Sequence, residues 1–172
     1  MAQTPPLIRR RRRRRMLFST LSLAAMALTS SAVPLPAQDR SDADVEAVRE
    51  TIESYARFAQ AGDIEAMGRL FKPGRGVHII EGAGVDHGWE EYRDHHLAPE
   101  LAAFENFRYR YFAVEPVVRG DVAYSAFRYE LSASVEGRPI DVEGRGTMVL
   151  ERIEGRWLIA HSHTSGRPRD GG

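Results

Sequence analysis

The chain has 172 residues, 42% of them hydrophobic, which is enough for one compact domain with a sizeable core and too few for two ordinary ones. Its formal charge of zero is unevenly distributed, because seven arginines form the run 9–15 and every acidic residue follows position 37. Without the first 37 residues, 17 basic residues stand against 24 acidic ones, a balance that argues against nucleic acid as the main partner. The absence of cysteine excludes disulfides, a thiol nucleophile and Cys-ligated zinc.

The first 37 residues have the layout of a secretory signal peptide. The arginine run is followed by an apolar stretch, Met16–Leu28, and then by small residues that lead to Ala37. This stretch has 13 residues, whereas a helix needs about 20 to cross a bilayer. We therefore expect cleavage after Ala32 or Ala37 rather than a stable membrane anchor. The protein is predicted to be secreted or periplasmic, exported by the general secretory route or, because an Arg-Arg pair precedes apolar residues, by the twin-arginine route.

Helical periodicity dominates the start of the remaining chain. Apolar residues recur at steps of three and four over Val45–Ala59, which predicts one amphipathic helix that begins near Ser41 and ends at Gly62. Asp63 is placed to cap a second, shorter helix that extends to Phe71. The domain is thus predicted to open with a helical hairpin.

Two short β-type runs and a third helix follow. The runs, residues 77–80 and 85–87, flank a glycine-rich turn and predict a small hairpin. A helix is predicted over Trp89–Phe104. Pro99 within it should cause a kink or a restart near Ala98, because proline removes one helical hydrogen bond.

From residue 107 onward the hydrophobic period changes to two. The pattern predicts four strands joined by tight glycine-containing turns: Phe107–Val118, Val122–Val135, Pro139–Ile153 and Arg156–Ser165. Links this short require antiparallel neighbours, because a parallel crossover needs about a dozen residues. The expected fold is α+β, with three helices wrapped by a curved antiparallel meander into a cone with one open end. Residues 167–172 are predicted to form a flexible tail.

The closing segment, EGRWLIAHSHTSG at residues 154–166, resembles the last strand of the SnoaL-like group within the nuclear transport factor 2-like superfamily. It is also similar to the end of the association domain of calcium/calmodulin-dependent protein kinase II and to DUF4440-type proteins. The segments AQAGDIEAMGRLF, HGWEEYRDHHL and EGRPIDVEGRGTMVLERIEGRW resemble the superfamily's helix-turn-helix entry, third helix and strand pair. The resemblance implies a domain over residues 38–166, a small-molecule pocket inside the cone and a homodimer paired through the convex sheet face. Since the superfamily contains isomerases, hydrolases, cyclases and members that only bind or assemble, activity stays open.

The last strand presents two faces by alternation. His161 and His163 share one face, and Leu158 and Thr164 share the other. The resemblance to the kinase association domain implies that the face of Leu158 and Thr164 looks into the cavity and that the two histidines lie in the dimer contact. A hydrogen-bonded structural pair is therefore favoured over a general base or a metal ligand at these histidines.

The same resemblance implies an arginine inside the cavity. Arg128 stands where the kinase domain carries one, with Tyr124 on the same strand face. A guanidinium there would bind a carboxylate or an enolate through two hydrogen bonds, and an ion pair with Glu130 is the alternative. Met148 and Thr164 correspond to two further arginines of that anion site, so the complete arginine cluster is missing.

The third helix carries the candidates for acid–base chemistry. His96 and Glu100 are four residues apart and would share a helix face, beside Tyr92 and His95. A histidine could act as base while a tyrosine or an arginine stabilises an oxyanion. A ketosteroid-isomerase type of site would draw its hydroxyl from Tyr55, Tyr92 or Tyr124 and its carboxylate from Glu100 or Glu130.

The leading prediction is an exported SnoaL-like protein that binds a small organic molecule in the cone. The alternatives are an acid–base enzyme (isomerase, cyclase or hydrolase) and an oligomerisation module. No metal-binding spacing such as HExxH is present, so neither a metal nor a cofactor is predicted. The catalytic candidates are His95, His96, Glu100 and Tyr124. The predicted ligand contacts are Arg128, Tyr124, Tyr92, His95, His96, Met148 and Thr164.

Overall fold

A computed structural model of the chain describes residues 37–169 and, from residue 41 onward, their side chains. Residues 1–36 of the predicted signal peptide and residues 170–172 of the predicted tail lie outside this range. The helices are α1 (Ala37–Ala61), α2 (Ile64–Gly68), α3 (Trp89–Tyr92) and α4 (Ala98–Ala103), with a π-helical turn at Arg93–Leu97 between the last two. The strands are β1 (His78–Glu81), β2 (Gly84–His87), β3 (Glu105–Arg119), β4 (Val122–Val135), β5 (Arg138–Ile153) and β6 (Arg156–Pro168).

Helix α1 buries the predicted apolar stripe. It begins at Ala37, four residues before the predicted start, and Gly62 follows its last residue as predicted. Gly62 has a φ of 69° and donates its N–H to the carbonyl of Ala59 at 3.0 Å, a helix ending that glycine adopts without steric cost. The buried members of the stripe are Val48, Ile52, Tyr55, Ala56 and Ala59.

Helix α2 begins where it was predicted to begin but ends earlier. Asp63 caps α2 as expected, since its carboxylate accepts from the Ala66 N–H at 2.9 Å. The helix ends at Gly68 rather than at Phe71, because Phe71 forms a bridge to Ile159 of β6.

The third helix is interrupted just before the predicted point. The Ala98 N–H bonds to the Arg93 carbonyl, five residues back, and this bond defines the π-helical turn. Pro99 then lies in the first turn of α4, where its missing N–H leaves no helical hydrogen bond unmade. The proline therefore starts a new helical segment instead of breaking one.

The strands form one curved, open, six-stranded sheet in the order β2-β1-β6-β5-β4-β3. The antiparallel meander β3 to β6 is confirmed, as is the β1/β2 hairpin. The sheet as a whole is mixed, because β1 pairs with β6 in parallel, with Glu81 opposite Thr164. Residues 167 and 168, predicted as tail, continue β6, and the Arg169 N–H bonds to the Asp141 carbonyl at 2.9 Å.

The core lies between α1 and one face of the sheet, here called the inner face. Tyr111 of β3 stacks on Phe127 of β4 with ring centroids 4.3 Å apart, and Tyr55 of α1 stacks on Tyr111 at 5.7 Å. Two irregularities bend β3, at Asn106 and Ala113, both with positive φ.

Among the described residues, none of the helices has the length and apolar character needed to cross a bilayer.

Candidate functional site

Alternation in β4 decides which of its side chains reach the inside of the cone. Phe127 and Tyr129 are buried in the core, whereas Tyr124 and Arg128 are exposed on the opposite, outer face of the sheet. The prediction that places Tyr124 and Arg128 inside the cone is therefore wrong, because successive residues of a strand point to opposite faces. The Arg128 guanidinium lies over the Phe112 ring at 5.4 Å.

Arg128 also belongs to a groove on the outer face. This groove has a volume of about 200 Å³. Its charged lining consists of Arg128, Glu143, Arg145 and Arg167. Glu130, which the alternative pairs with Arg128, instead forms ion pairs with Arg110 at 2.6 Å and Arg169 at 3.0 Å.

Strand β6 changes the face it presents to the core part-way along its length. Val149 of β5 pairs with His161 but Leu150 pairs with Ile159, so Ala160 is an extra residue in a β-bulge. Before the bulge, Ile159 joins the core. After it, Thr164 is buried and His163 is exposed. The prediction that Leu158 and Thr164 share a face is wrong, because the extra residue puts Ile159 rather than Leu158 on the face of Thr164.

The four histidines outside the third helix lie together on the outer face. His78 pairs with His161 across β1 and β6, and the His78 and His87 rings are 5.1 Å apart. Burial lowers the pKa of His161, and neighbouring His163 and His78 lower it further. These histidines are on the side of the sheet away from the core, which is the side that the resemblance implies for His161 and His163.

Three further candidates lie away from the cavity described next. Met148 is fully buried and belongs to the hydrophobic core. Thr164 is buried on the inner face opposite Glu81, but it does not line the cavity. His95 is exposed on the surface of the π-helical turn.

A small cavity opens between α1, α4 and the inner face of β3 and β4. Its volume is about 40 Å³, room for a few water molecules. The apolar part of its lining is formed by Ala59, Leu97, Leu101, Phe104, Phe107 and Leu131. The polar part is formed by Tyr55, Glu81, Tyr92, Glu100 and Tyr109.

A chain of hydrogen bonds runs along the polar part of this cavity. The Tyr55 and Tyr92 hydroxyls are 2.8 Å apart, and Tyr92 donates to Glu81 Oε1 at 3.0 Å. Burial raises the pKa of both tyrosines well above the ordinary value, so their hydroxyls stay protonated as donors. Burial also raises the pKa of Glu81, an effect that the nearby His96 and the Tyr92 hydrogen bond partly offset.

His96 links Glu81 to two more carboxylates. Its Nε2 lies 3.3 Å from Glu81 Oε2 and 3.4 Å from Glu100 Oε1, while its Nδ1 lies 3.5 Å from Asp86 Oδ2. The prediction that His96 and Glu100 share a face is confirmed, because the π-helical turn and α4 keep both on the side of the cavity. The predicted residues that the fold brings together are thus Tyr55, Tyr92, His96 and Glu100.

Comparison with known proteins identifies the fold. A family model described as a SnoaL-like domain matches residues 48–169. The chain belongs to the SnoaL-like domain family. A search of curated proteins found no match.

Solved structures share this SnoaL-like, nuclear transport factor 2-like fold. One is a nuclear transport factor 2-like superfamily protein from Salmonella enterica serovar Typhimurium, 20% identical, covering 79% of this chain and 96% of its own with a TM-score of 0.65. A proposed ketosteroid isomerase from Shewanella frigidimarina is 25% identical and covers 69% of this chain and 94% of its own, with a TM-score of 0.61. A proposed dehydratase from Streptomyces avermitilis is 20% identical, with coverages of 76% and 99% and a TM-score of 0.65.

Two residues of the site in this SnoaL-like domain are not predicted by the sequence patterns. Glu81 was assigned to a turn, although it continues the alternation of buried Val77 and Ile79 and so points to the inner face. Asp86 is opposite Ile79 in β2 and shares that face. If the period-two pattern of Val77 and Ile79 is extended by two residues, it predicts Glu81 on the inner face. The proximity of Glu81 to His96 depends on tertiary packing, which this pattern does not contain.

Proposed function

We propose that this SnoaL-like domain binds a small organic molecule whose polar oxygen group enters the cavity and whose apolar part lies against Phe104 and Phe107. The observation that carries the proposal is the lining of the cavity, where hydroxyl and carboxylate groups meet leucine and phenylalanine side chains. A concave, mainly apolar site with a few convergent polar groups is the usual form of a small-molecule site.

The size of the cavity limits what can enter it. Ligand pockets commonly have volumes of about 300–1,000 Å³, so about 40 Å³ admits a polar group but not a whole molecule. A neighbouring groove of about 280 Å³ shares Tyr109 and Leu131 with the cavity and could hold the rest of the ligand. Helix α4 buries none of its residues fully, so its displacement would enlarge the entrance at small cost.

Tyr92→Phe is expected to weaken ligand binding about tenfold, because it removes one hydrogen bond worth about 1.4 kcal/mol at the polar end of the cavity. Molecules retained by the full-length protein would be identified by native mass spectrometry, and the identified compound would then be titrated by calorimetry. If none is retained, cyclic ketones and small carboxylic acids would be screened by thermal shift.

Tyr124→Phe is the matched control for this experiment. It removes the same hydroxyl from a tyrosine that is 49% exposed on the outer face, and it should leave the affinity unchanged. Equal affinities for wild type and Tyr92→Phe would contradict the proposed position of the ligand.

Acid–base catalysis is the second candidate function. It is favoured by the position of Glu81 between the Tyr92 hydroxyl and the His96 imidazole, where a carboxylate could accept a proton while a hydroxyl stabilises an oxyanion. The Shewanella neighbour is itself described as a proposed ketosteroid isomerase. The test is deuterium incorporation, followed by NMR, at the carbon next to a carbonyl of the bound molecule. Glu81→Gln should abolish the exchange while binding persists, and unchanged exchange would remove this candidate.

Export and pairing complete the proposal. We propose that the signal peptide is removed after Ala32 or Ala37 during export, which N-terminal sequencing of the secreted or periplasmic protein would test.

We also propose a homodimer through the outer face of the sheet, supported by exposed Val85, Val122 and Tyr124. Tyr124→Lys should then shift sedimentation toward the monomer, whereas a monomeric wild type would refute pairing and larger oligomers would favour an assembly role.

A further inference from the structure

Three ligand atoms converge beside the cavity. Glu81 Oε2, His96 Nε2 and Glu100 Oε1 all lie within 4.8 Å of one another, and the two distances from Nε2 are 3.3 and 3.4 Å. Bonds of about 2.0–2.2 Å arranged tetrahedrally around zinc place neighbouring ligand atoms about 3.4 Å apart. We infer that Glu81, His96 and Glu100 bind a divalent transition-metal ion of the zinc type.

The surroundings of these atoms have the form that supports metal ligands. His96 Nδ1 lies 3.5 Å from Asp86 Oδ2, and the Asp86 side chain is only 15% exposed. A carboxylate in this position orients an imidazole and directs the lone pair of its other nitrogen to a metal. Glu81 is held similarly, since its Oε1 accepts from Tyr92 and leaves Oε2 for the ion. Two of the three ligands therefore have a polar partner beside the atom that does not face the ion.

The site is accessible and leaves a coordination position open. Glu100 is 47% exposed, so an ion can enter from solvent. Glu81 and Glu100 also line the cavity. Zinc sites that bind water or substrate have three protein ligands and an open fourth coordination position. Here the fourth position would face the cavity.

The inference goes beyond the proposed ligand binding and does not depend on it. If both hold, an oxygen of the bound molecule could take the open position on the ion. A bound ion and a proton accepted by Glu81 use the same carboxylate, so zinc should inhibit any acid–base reaction at this residue. Metal binding can be measured with no organic molecule present, and its failure would leave the ligand proposal standing.

The test uses untagged full-length protein, dialysed against EDTA and titrated with Zn²⁺ by calorimetry at neutral pH, with the melting temperature followed in parallel. One ion per chain and a rise in melting temperature are expected. His96→Ala and Glu100→Gln should each lower the affinity at least tenfold. Asp86→Asn should lower it 10- to 100-fold, because partners of metal ligands have effects of about that size.

Two control variants separate this site from other histidines. His95→Ala removes the exposed histidine next to His96 and should leave the affinity unchanged. His161→Ala tests the outer face, and a loss confined to this variant would place the ion there and overturn the inference. Absence of binding to wild type would also overturn it, as would equal affinity in Glu100→Gln, whose exposed side chain can be replaced without disturbing the fold.

Discussion

Gly144→Ala is expected to lower the free energy of unfolding by about 3 kcal/mol, the upper end of the usual range for overpacking a core. A Cβ at Gly144 would overlap the Tyr129 ring and would lie 2.6 Å from the backbone oxygen of Ser165. The oxygen belongs to β6, the hydrogen-bonded neighbour of β5, so it cannot withdraw without loss of the pairing. Urea unfolding monitored by circular dichroism would measure the change.

Gly76→Ala provides the control for this prediction. A Cβ at Gly76 would meet only the end of the Lys72 side chain, at 3.8 Å, and its φ is not positive. The unfolding free energy of this variant should stay within about 0.5 kcal/mol of wild type, as for most surface substitutions. Similar losses in both variants would mean that Tyr129 does not press against Gly144.

Met148→Ala should reduce the free energy of unfolding by about 2–5 kcal/mol, because removal of a buried methionine side chain leaves a cavity. Met148 has no exposed surface and is paired with Ser125 and Ser162 on neighbouring strands. Urea unfolding would measure the loss, with Met148→Leu as the control, since a swap of similar volume costs under about 1.5 kcal/mol.

The two outcomes distinguish a core residue from a ligand contact at this position. A core role predicts that Met148→Leu retains both stability and any ligand affinity. A stable Met148→Ala that has lost only ligand binding would restore the sequence-based assignment and contradict the structural one.

The fold was predictable because its signals are local. The change of hydrophobic period at residue 107 and the glycine turns predicted the antiparallel meander, and Asp63 predicted the start of α2. The segments quoted for the SnoaL-like resemblance predicted the family, and the match over residues 48–169 confirms it. Each of these signals depends on residues that are neighbours in the chain, where side-chain period and backbone preference act directly.

The candidate site was only partly predictable. Tyr92, His96 and Glu100 were selected from the third helix and do converge, whereas Arg128 and Tyr124 lie on the wrong face of β4. Alternation divides a strand into two faces, but it does not state which face meets the helices. The resemblance implies that the face of Arg128 and Tyr124 meets the helices. The buried rings of Phe127 and Tyr129 show that the opposite face does.

The sequence by itself determined the family, the helical entry, the meander and, outside the bulge in β6, the separation of the strands into two faces. Only the tertiary structure decided that Ala160 forms a bulge, that β1 joins β6 in parallel and that Glu81 meets His96. Each of these features brings together residues far apart in the chain. Their free energy comes from pairing and packing between elements, which a local pattern does not encode.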